Sequence, residues 1–409
     1  MSKLLQINSC VNAGSTGRIA EDIGQVVINA GWESYIAYAR DYRHSASQTI
    51  KIGNKLSFYL HVLKTRLFDR HGFGSYFATK KLIRQIDQIK PDVIQLHNIH
   101  GYYLNLPILL KYLSRKNIPL FWCLHDCWSM TGHCSHFALQ NCNKWETECH
   151  DCPLLGDYPK SWFVDSSRRN FNEKKRLIKA IPNLTLVSLS NWMASIIRRS
   201  YMKDRDVVLI PNGIDTNVFK PRTNGEILRK KYGIQNKFVI MASGTVWLPY
   251  KGLNDFGILR KMLSDDFAII LVGMSKEDIK TKLPDGVIGI ERTKSPEELS
   301  EFYSMADCVM SLSRLESFGL TPVEGFACGT PAIVYNCTST PELITPETGF
   351  VAEVGNIEDV KRKVELIKER GKSYYSKRCR EIALEKYDRN VCYHKYLSLY
   401  NSAINTKCE

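Results

Sequence analysis

A chain of 409 residues is too long for one compact domain, so two domains with separate cores are expected. Its 44% hydrophobic and 24% charged residues are those of an ordinary globular protein, which excludes a disordered or fibrous chain. The net charge of +14 is uneven: residues 1–210 hold 28 Lys and Arg against 16 Asp and Glu, whereas residues 211–409 hold 28 against 26.

No run approaches about 18 consecutive apolar residues, and the start MSKLLQINSC lacks a leader's apolar region and cleavage site, so neither a spanning helix nor secretion is expected. In the cytoplasmic location this implies, thirteen cysteines cannot be a disulfide framework. Cys10, Cys308, Cys328 and Cys337 stand singly in apolar runs and read as buried small residues.

In chain order, the apolar runs KLLQINS, DVIQLHN, IPLFWCLHD, LTLVSLS and VVLIPNGID alternate with helical patterns, and each ends in polar residues. This is the βαβ order of a parallel sheet. After PNGID the alternation restarts with FVIMASGT, FAIILVGM, GVIGIE, DCVMSLS and TPAIVYN, separated by helices near 252–263, 296–305 and 320–327. The expected architecture is therefore α/β, two doubly wound parallel-sheet domains. Their ranges are read as 1–205, with a Cys-rich insertion at 127–165, and 206–385. A helical C-terminal segment, 386–409, is expected to pack back near the first domain.

Ligands of open parallel sheets bind beyond the carboxyl ends of the strands, so the residues there matter most. NAGSTGR follows the first strand, with Gly14 and Gly17 in a tight loop and a helix expected from near Arg18. It reads either as an anion-binding helix start or as a plain βα turn. The basic, aromatic stretch 58–84, with Lys64, Arg66, Arg70, Lys80, Lys81 and Arg84, suits phosphate or an anionic lipid surface such as the inner face of the cell membrane, or else a solvated helix face. LHD closes a later strand. Because side chains alternate, only one of His125 and Asp126 is expected to face a cleft unless the strand has already turned.

Behind it, Cys134, Cys142, Cys149 and Cys152 stand in C-x7-C-x6-C-x2-C, a set suited to a structural zinc or equally to buried thiols. His133, His136 and His150 read as loop residues.

In the second half, ASGTVWLPYKG sets Gly244 at a strand end and Lys251 before a helix, a pairing that suits a diphosphate unless Lys251 is merely an exposed loop residue. SRLESFGLTPVEGFACGTP is the most specific stretch. Glu316 lies in the loop after a strand and Glu324 within the next helix. Between them, Ser317, Phe318, Gly319 and Leu320 can present helix-start N–H groups to phosphate while the carboxylates accept hydroxyl hydrogens.

That stretch resembles the E-x7-E signature of retaining glycosyltransferases of family four, which have the GT-B fold. The match reaches back through KSPEELSEFYSMADCVMSLS and PNGID, and LHDCWSMTG with the four-cysteine stretch resembles the subgroup that includes colanic acid and other surface-polysaccharide transferases. The resemblance implies retaining transfer of a hexose from a UDP- or GDP-linked sugar to a lipid-linked or oligosaccharide acceptor. No catalytic metal is implied, and no Asp-x-Asp triplet occurs. It also implies that Glu324 holds the donor ribose, Glu316 the transferred sugar, and Lys251 with residues 317–320 the diphosphate. His125 would face the donor sugar, with Gly14 and Gly17 near donor phosphate or acceptor. The chain departs from the family where an arginine is expected shortly before Lys251, leaving Arg314 or Arg18 to compensate, and Leu312 and Gly325 replace a proline and an alanine. Two alternatives stand beside this reading: a sugar-nucleotide epimerase of similar build, and a zinc-finger nucleic-acid binder, which the mixed-charge NKWETECHDCP does not favour.

Overall fold

The computed structural model describes residues 1–408. It divides into two compact units, Met1–Pro211 with the chain from Tyr393 onward, and Asn212–Cys392.

The first unit is built on β1 (Lys3–Ile7), β2 (Glu33–Tyr38), β3 (Gln48–Lys51), β4 (Val93–Leu96), β5 (Leu120–Leu124), β6 (Leu184–Ser188) and β7 (Asp206–Leu209). These form one sheet in the order β3-β2-β1-β4-β5-β6-β7, and every pair is parallel. Every residue of β4 and β5 is buried, as expected of central strands covered on both faces. The helices are α1 (Gly14–Asn29), α2 (Lys55–Phe68), α3 (Tyr76–Ile89), α4 (Leu106–Leu113), α5 (Ser167–Lys179) and α6 (Asn191–Arg199). The expected boundary after residue 205 would detach β7, whose ladder with β6 keeps it in this sheet.

The second unit has β8 (Phe238–Ser243), β9 (Phe267–Met274), β10 (Ile288–Glu291), β11 (Cys308–Ser311), β12 (Ala332–Tyr335) and β13 (Gly349–Ala352) in the order β10-β9-β8-β11-β12-β13, again all parallel. Its helices are α7 (Gly225–Lys231), α8 (Leu253–Met262), α9 (Lys276–Thr281), α10 (Pro296–Met305), α11 (Leu320–Ala327), α12 (Ile357–Arg370) and α13 (Lys372–Lys386). In each sheet the strand order reverses beside the unit's first strand, between β1 and β4 and between β8 and β11, which is where a doubly wound sheet opens its ligand crevice.

The terminal helical pattern is two helices, not one. α13 ends before Tyr387 and Asp388, where Ile214 N–H donates to Tyr387 O (2.8 Å) and Ile214 O accepts from Arg389 N–H (2.8 Å). α14 (Arg389–Cys408) then carries Tyr396, whose OH donates to Cys123 Sγ (3.4 Å), and Tyr400, whose OH donates to Gln95 Oε1 (3.0 Å). Those two bonds tie it to β5 and β4.

Candidate functional site

The second unit gathers its polar residues at the β8/β11 crevice. Behind β8 the chain passes Gly244 and makes a single 3-10 turn, Pro249–Lys251. It enters α8 through Gly252, which has φ +79° and where a Cβ would lie 2.5 Å from Leu312 O, so only glycine lets the loops after β8 and β11 touch. That contact brings Lys251 to Glu316: Nζ donates to Oε1 at 2.5 Å, with the side chains 27% and 22% exposed and so open to a ligand. Glu316 is fixed at its backbone, since its N–H donates to Thr338 Oγ1 (3.0 Å) and its carbonyl accepts from Ser339 Oγ (2.8 Å).

Gly319, at φ +101°, then turns the chain into α11. Phe318 is buried with its ring 5.9 Å from that of Tyr387, so within 317–320 it offers the crevice its backbone and not its ring. Inside α11, Glu324 is buried and accepts from Tyr303 OH at 2.7 Å. The same phenol meets Ser243 Oγ (2.6 Å), which meets Thr321 Oγ1 (3.2 Å). Burial, then the charge of Glu324, holds the Tyr303 phenol well above its ordinary value, so it remains a donor. Gly325 stands where an alanine was expected because a Cβ there would lie 2.7 Å from Val309 Cγ2.

Arg314 stands beside the Lys251 loop. Its guanidinium is ion-paired to Asp255 Oδ2 (2.8 Å), which also accepts from Tyr335 OH (2.7 Å), and its N–H donates to Tyr250 O (2.8 Å). Through these bonds it braces that loop, and like Lys251 it has a carboxylate partner while staying partly exposed. Arg18 donates to Gly14 O of its own helix (3.2 Å).

In the first unit, α1 begins at Gly14, four residues ahead of the expected start. Gly14 has φ +64°, and a Cβ at Gly17 would lie 3.2 Å from Asn12 N. Neighbouring strands β4 and β5 both end in Leu-His. Gln6 Nε2 donates to Ala20 O (2.7 Å), which turns Gln6 Oε1 toward His97 Nε2 (2.9 Å). His97 must donate there, so its Nδ1 accepts from His125 Nε2 (3.1 Å). Burial pushes His97 well below its ordinary value and His125 down to about 4, so both rings are neutral near pH 7 and His125 keeps Nδ1 as a hydrogen-bond acceptor.

Asp126 lies beyond the end of β5 and is engaged as well. Its Oδ2 lies 2.6 Å from His100 Nε2 and its Oδ1 accepts from Trp128 N–H (2.9 Å). Burial would raise this carboxyl, but the charge and hydrogen bond of His100 hold it well below the usual range. His125 and Asp126 thus both find partners on the loop after β4, because the strand has ended at Leu124. His97, His100, Gln6, Tyr303, Ser243 and Asp255 were not singled out from the sequence. The repeated Leu-His at two strand ends was the one signal available for His97.

Cys134, Cys142, Cys149 and Cys152 line one cavity of about 10 Å³ together with Phe137 and Trp145, whose rings stack at 4.5 Å. A hydrogen bond from Cys134 lowers the Cys152 thiol to about 7, and burial raises Cys149 to about 12. Among the described residues, the group of possible ligands drawn within 4.8 Å of one another is His97, Cys123 and His125, not these four. His133 lines the same cavity: its Nδ1 lies 2.5 Å from Asp69 Oδ1, and its buried Nε2 has no hydrogen-bond partner.

Two family models match the chain, Glycosyltransferase Family 4 over residues 16–218 and Glycosyl transferases group 1 over residues 225–386. WcaC of Escherichia coli, a glycosyl transferase assigned to colanic acid biosynthesis, is 26% identical over 361 residues, 85% of this chain and 86% of its own. An N,N'-diacetylbacillosaminyl-diphospho-undecaprenol alpha-1,3-N-acetylgalactosaminyltransferase of Campylobacter jejuni is 27% identical over 52% of this chain and 58% of its own. Among solved structures, HepE of Anabaena in complex with UDP superposes with a TM-score of 0.69 at 15% identity, covering 98% of this chain and 100% of that one. Both family models describe transferases, and the epimerase alternative finds no support.

Proposed function

Because the chain belongs to the glycosyltransferases that these two models describe, with the GT-B fold of two doubly wound domains, we propose that it transfers a hexose, with retention at the anomeric carbon, from a UDP- or GDP-linked sugar to a lipid-linked saccharide of surface-polysaccharide assembly. The observation that carries the donor reading is the pair of carboxylates eight residues apart at the β8/β11 crevice. Glu316 is held by Lys251, and Glu324 by Tyr303. In this reading Glu324 accepts from the ribose diol and Glu316 from the transferred sugar. Lys251 and the first amides of α11 take the diphosphate and stabilise its charge as it departs, the task a divalent ion performs in metal-dependent transferases. Gly244 leaves backbone room for the diphosphate, and neutral His125 accepts from a sugar hydroxyl through Nδ1.

The second unit is the donor domain and the first the acceptor domain. The UDP of the HepE complex and the undecaprenol-linked substrate named for the Campylobacter relative support a nucleotide donor and a lipid-linked acceptor. The basic first unit supports contact with an anionic membrane surface, and no helix among the described residues is long and apolar enough to cross one. Four thiols on one cavity also suit a structural zinc in their donor chemistry. Elemental analysis of protein purified without chelator should find about one zinc per chain, and its absence leaves the cysteines as buried thiols.

Thermal unfolding with UDP, GDP and their sugars tests the donor reading. A ligand at 100 times its Kd adds about 2.7 kcal/mol to stability, so one base should raise Tm clearly. No shift with either base overturns it.

A further inference from the structure

In the first unit the end of α2 is clasped by the chain that follows the cysteine stretch. Trp162 N–H donates to Arg66 O (2.7 Å), the Arg66 guanidinium donates to Lys160 O (2.9 Å), and Ser166 Oγ donates to Phe68 O (3.0 Å). Beside this clasp lies an open cavity of about 380 Å³ lined by Lys64, Phe68, Arg70, Val164, Ser166 and Arg169. Three cations and no carboxylate line it. Glu173 answers one of them, pairing with Arg70 at 2.8 Å, and the Arg70 guanidinium is further fixed by Asn170 Oδ1 (2.7 Å). Lys64 Nζ donates to Phe73 O (2.9 Å), and burial, then the charges of Arg70 and Arg169, pushes its ammonium below its ordinary value against the opposing charge of Glu173.

The rim has a different chemistry. Phe68, Trp162, Phe163 and Val164 are 56%, 54%, 78% and 40% exposed, an apolar edge that water solvates poorly. A soluble anion would satisfy the cations and leave that edge bare. A ligand whose phosphate is joined to hydrocarbon satisfies both.

We propose that this cavity takes the phosphate of an anionic membrane phospholipid, held by Lys64 and Arg169, while Trp162, Phe163 and Val164 enter the boundary between headgroups and acyl chains. This deepens the membrane contact proposed above and rests on it.

Flotation of the full chain with vesicles tests it. Phosphatidylcholine vesicles containing phosphatidylglycerol should carry the protein upward. Vesicles of phosphatidylcholine alone, or with a fatty acid supplying equal negative charge, should carry much less. Each cation removed costs about fivefold in binding, so a K64A/R169A double variant should bind about 25-fold more weakly, and Phe163→Ser should also weaken binding. Thermal unfolding confirms that the variants are folded, and Arg70 is left in place because it braces α5. Unchanged binding by the double variant overturns the proposal. So does equal binding to the fatty-acid vesicles, or release by millimolar inorganic phosphate, which would reassign the cavity to a soluble anion. Calorimetry with UDP and GDP keeps the two readings apart: vesicle binding that survives when nucleotide binding fails sinks the transferase site and leaves this cavity standing.

Discussion

All ten histidines of the chain lie in the first unit, and the second has none. The first unit closes its crevice end with neutral rings that bond one another, His125 to His97 and His97 to Gln6. The second closes its own with carboxylates already bonded to cationic and phenolic donors, Glu316 to Lys251 and Glu324 to Tyr303. One doubly wound plan thus carries two chemistries: in one unit neutral rings suited to sugar hydroxyls, beside the Asp126–His100 pair, and in the other the Lys251–Glu316 pair and buried Glu324, suited to a diphosphate and a diol.

Acid should break that comparison most sharply. His61 Nε2 accepts from Gly72 N–H (3.1 Å) and Gly74 N–H (3.2 Å), and burial lowers the ring to about 3, while His125 is lowered to about 4. A lowered folded value means that the unfolded chain binds more protons between that value and about 6.5, so stability is fully present above 6.5 and falls as pH drops toward 4. Each such histidine contributes a slope of up to about 1.4 kcal/mol per pH unit. Calorimetric scans from pH 7 to 4.5 should therefore lower the transition of the first unit and leave that of the second nearly level. Parallel shifts would contradict it.

Gly252→Ala attacks the second unit. A Cβ at φ +79° and 2.5 Å from Leu312 O should cost about 2 to 4 kcal/mol, combining left-handed strain with overpacking, and denaturant titration reads it directly. The smallest effect belongs to Tyr303→Phe. Removing the hydroxyl between Glu324 and Ser243 should weaken nucleotide binding by about 1 kcal/mol by calorimetry, with little change in fold.

Much of this was legible in the chain. The runs that became β1 and β4 to β12 are nearly continuous in apolar residues, and the glutamate pair spans a turn whose glycine and helix start are written locally. β2, β3 and β13 were missed because ESYIAY, QTIK and GFVA are short or mixed, with edge strand β3 exposing three of its four residues. The partners of the site residues were missed for another reason: they are distant in sequence. His97 meets Gln6 across 91 positions, Arg314 meets Asp255 across 59, and Tyr303 meets Glu324 across 21. Only the parallel register, which sets Leu96 beside Trp122, brings the two Leu-His ends together. Likewise the pairing of Arg314 with Asp255 comes only from the fold.

The central claim is the division of labour between Glu316 and Glu324, and calorimetry with the nucleoside diphosphate on the two alanine variants tests it most directly. Glu324→Ala should weaken binding by about 1.5 to 3 kcal/mol, the worth of a charged hydrogen bond to the ribose. Glu316→Ala should leave that affinity nearly intact while transfer falls, since its contact is with the sugar that the diphosphate lacks. Wild-type affinity in Glu324→Ala, or equal losses in both variants, would contradict the assignment.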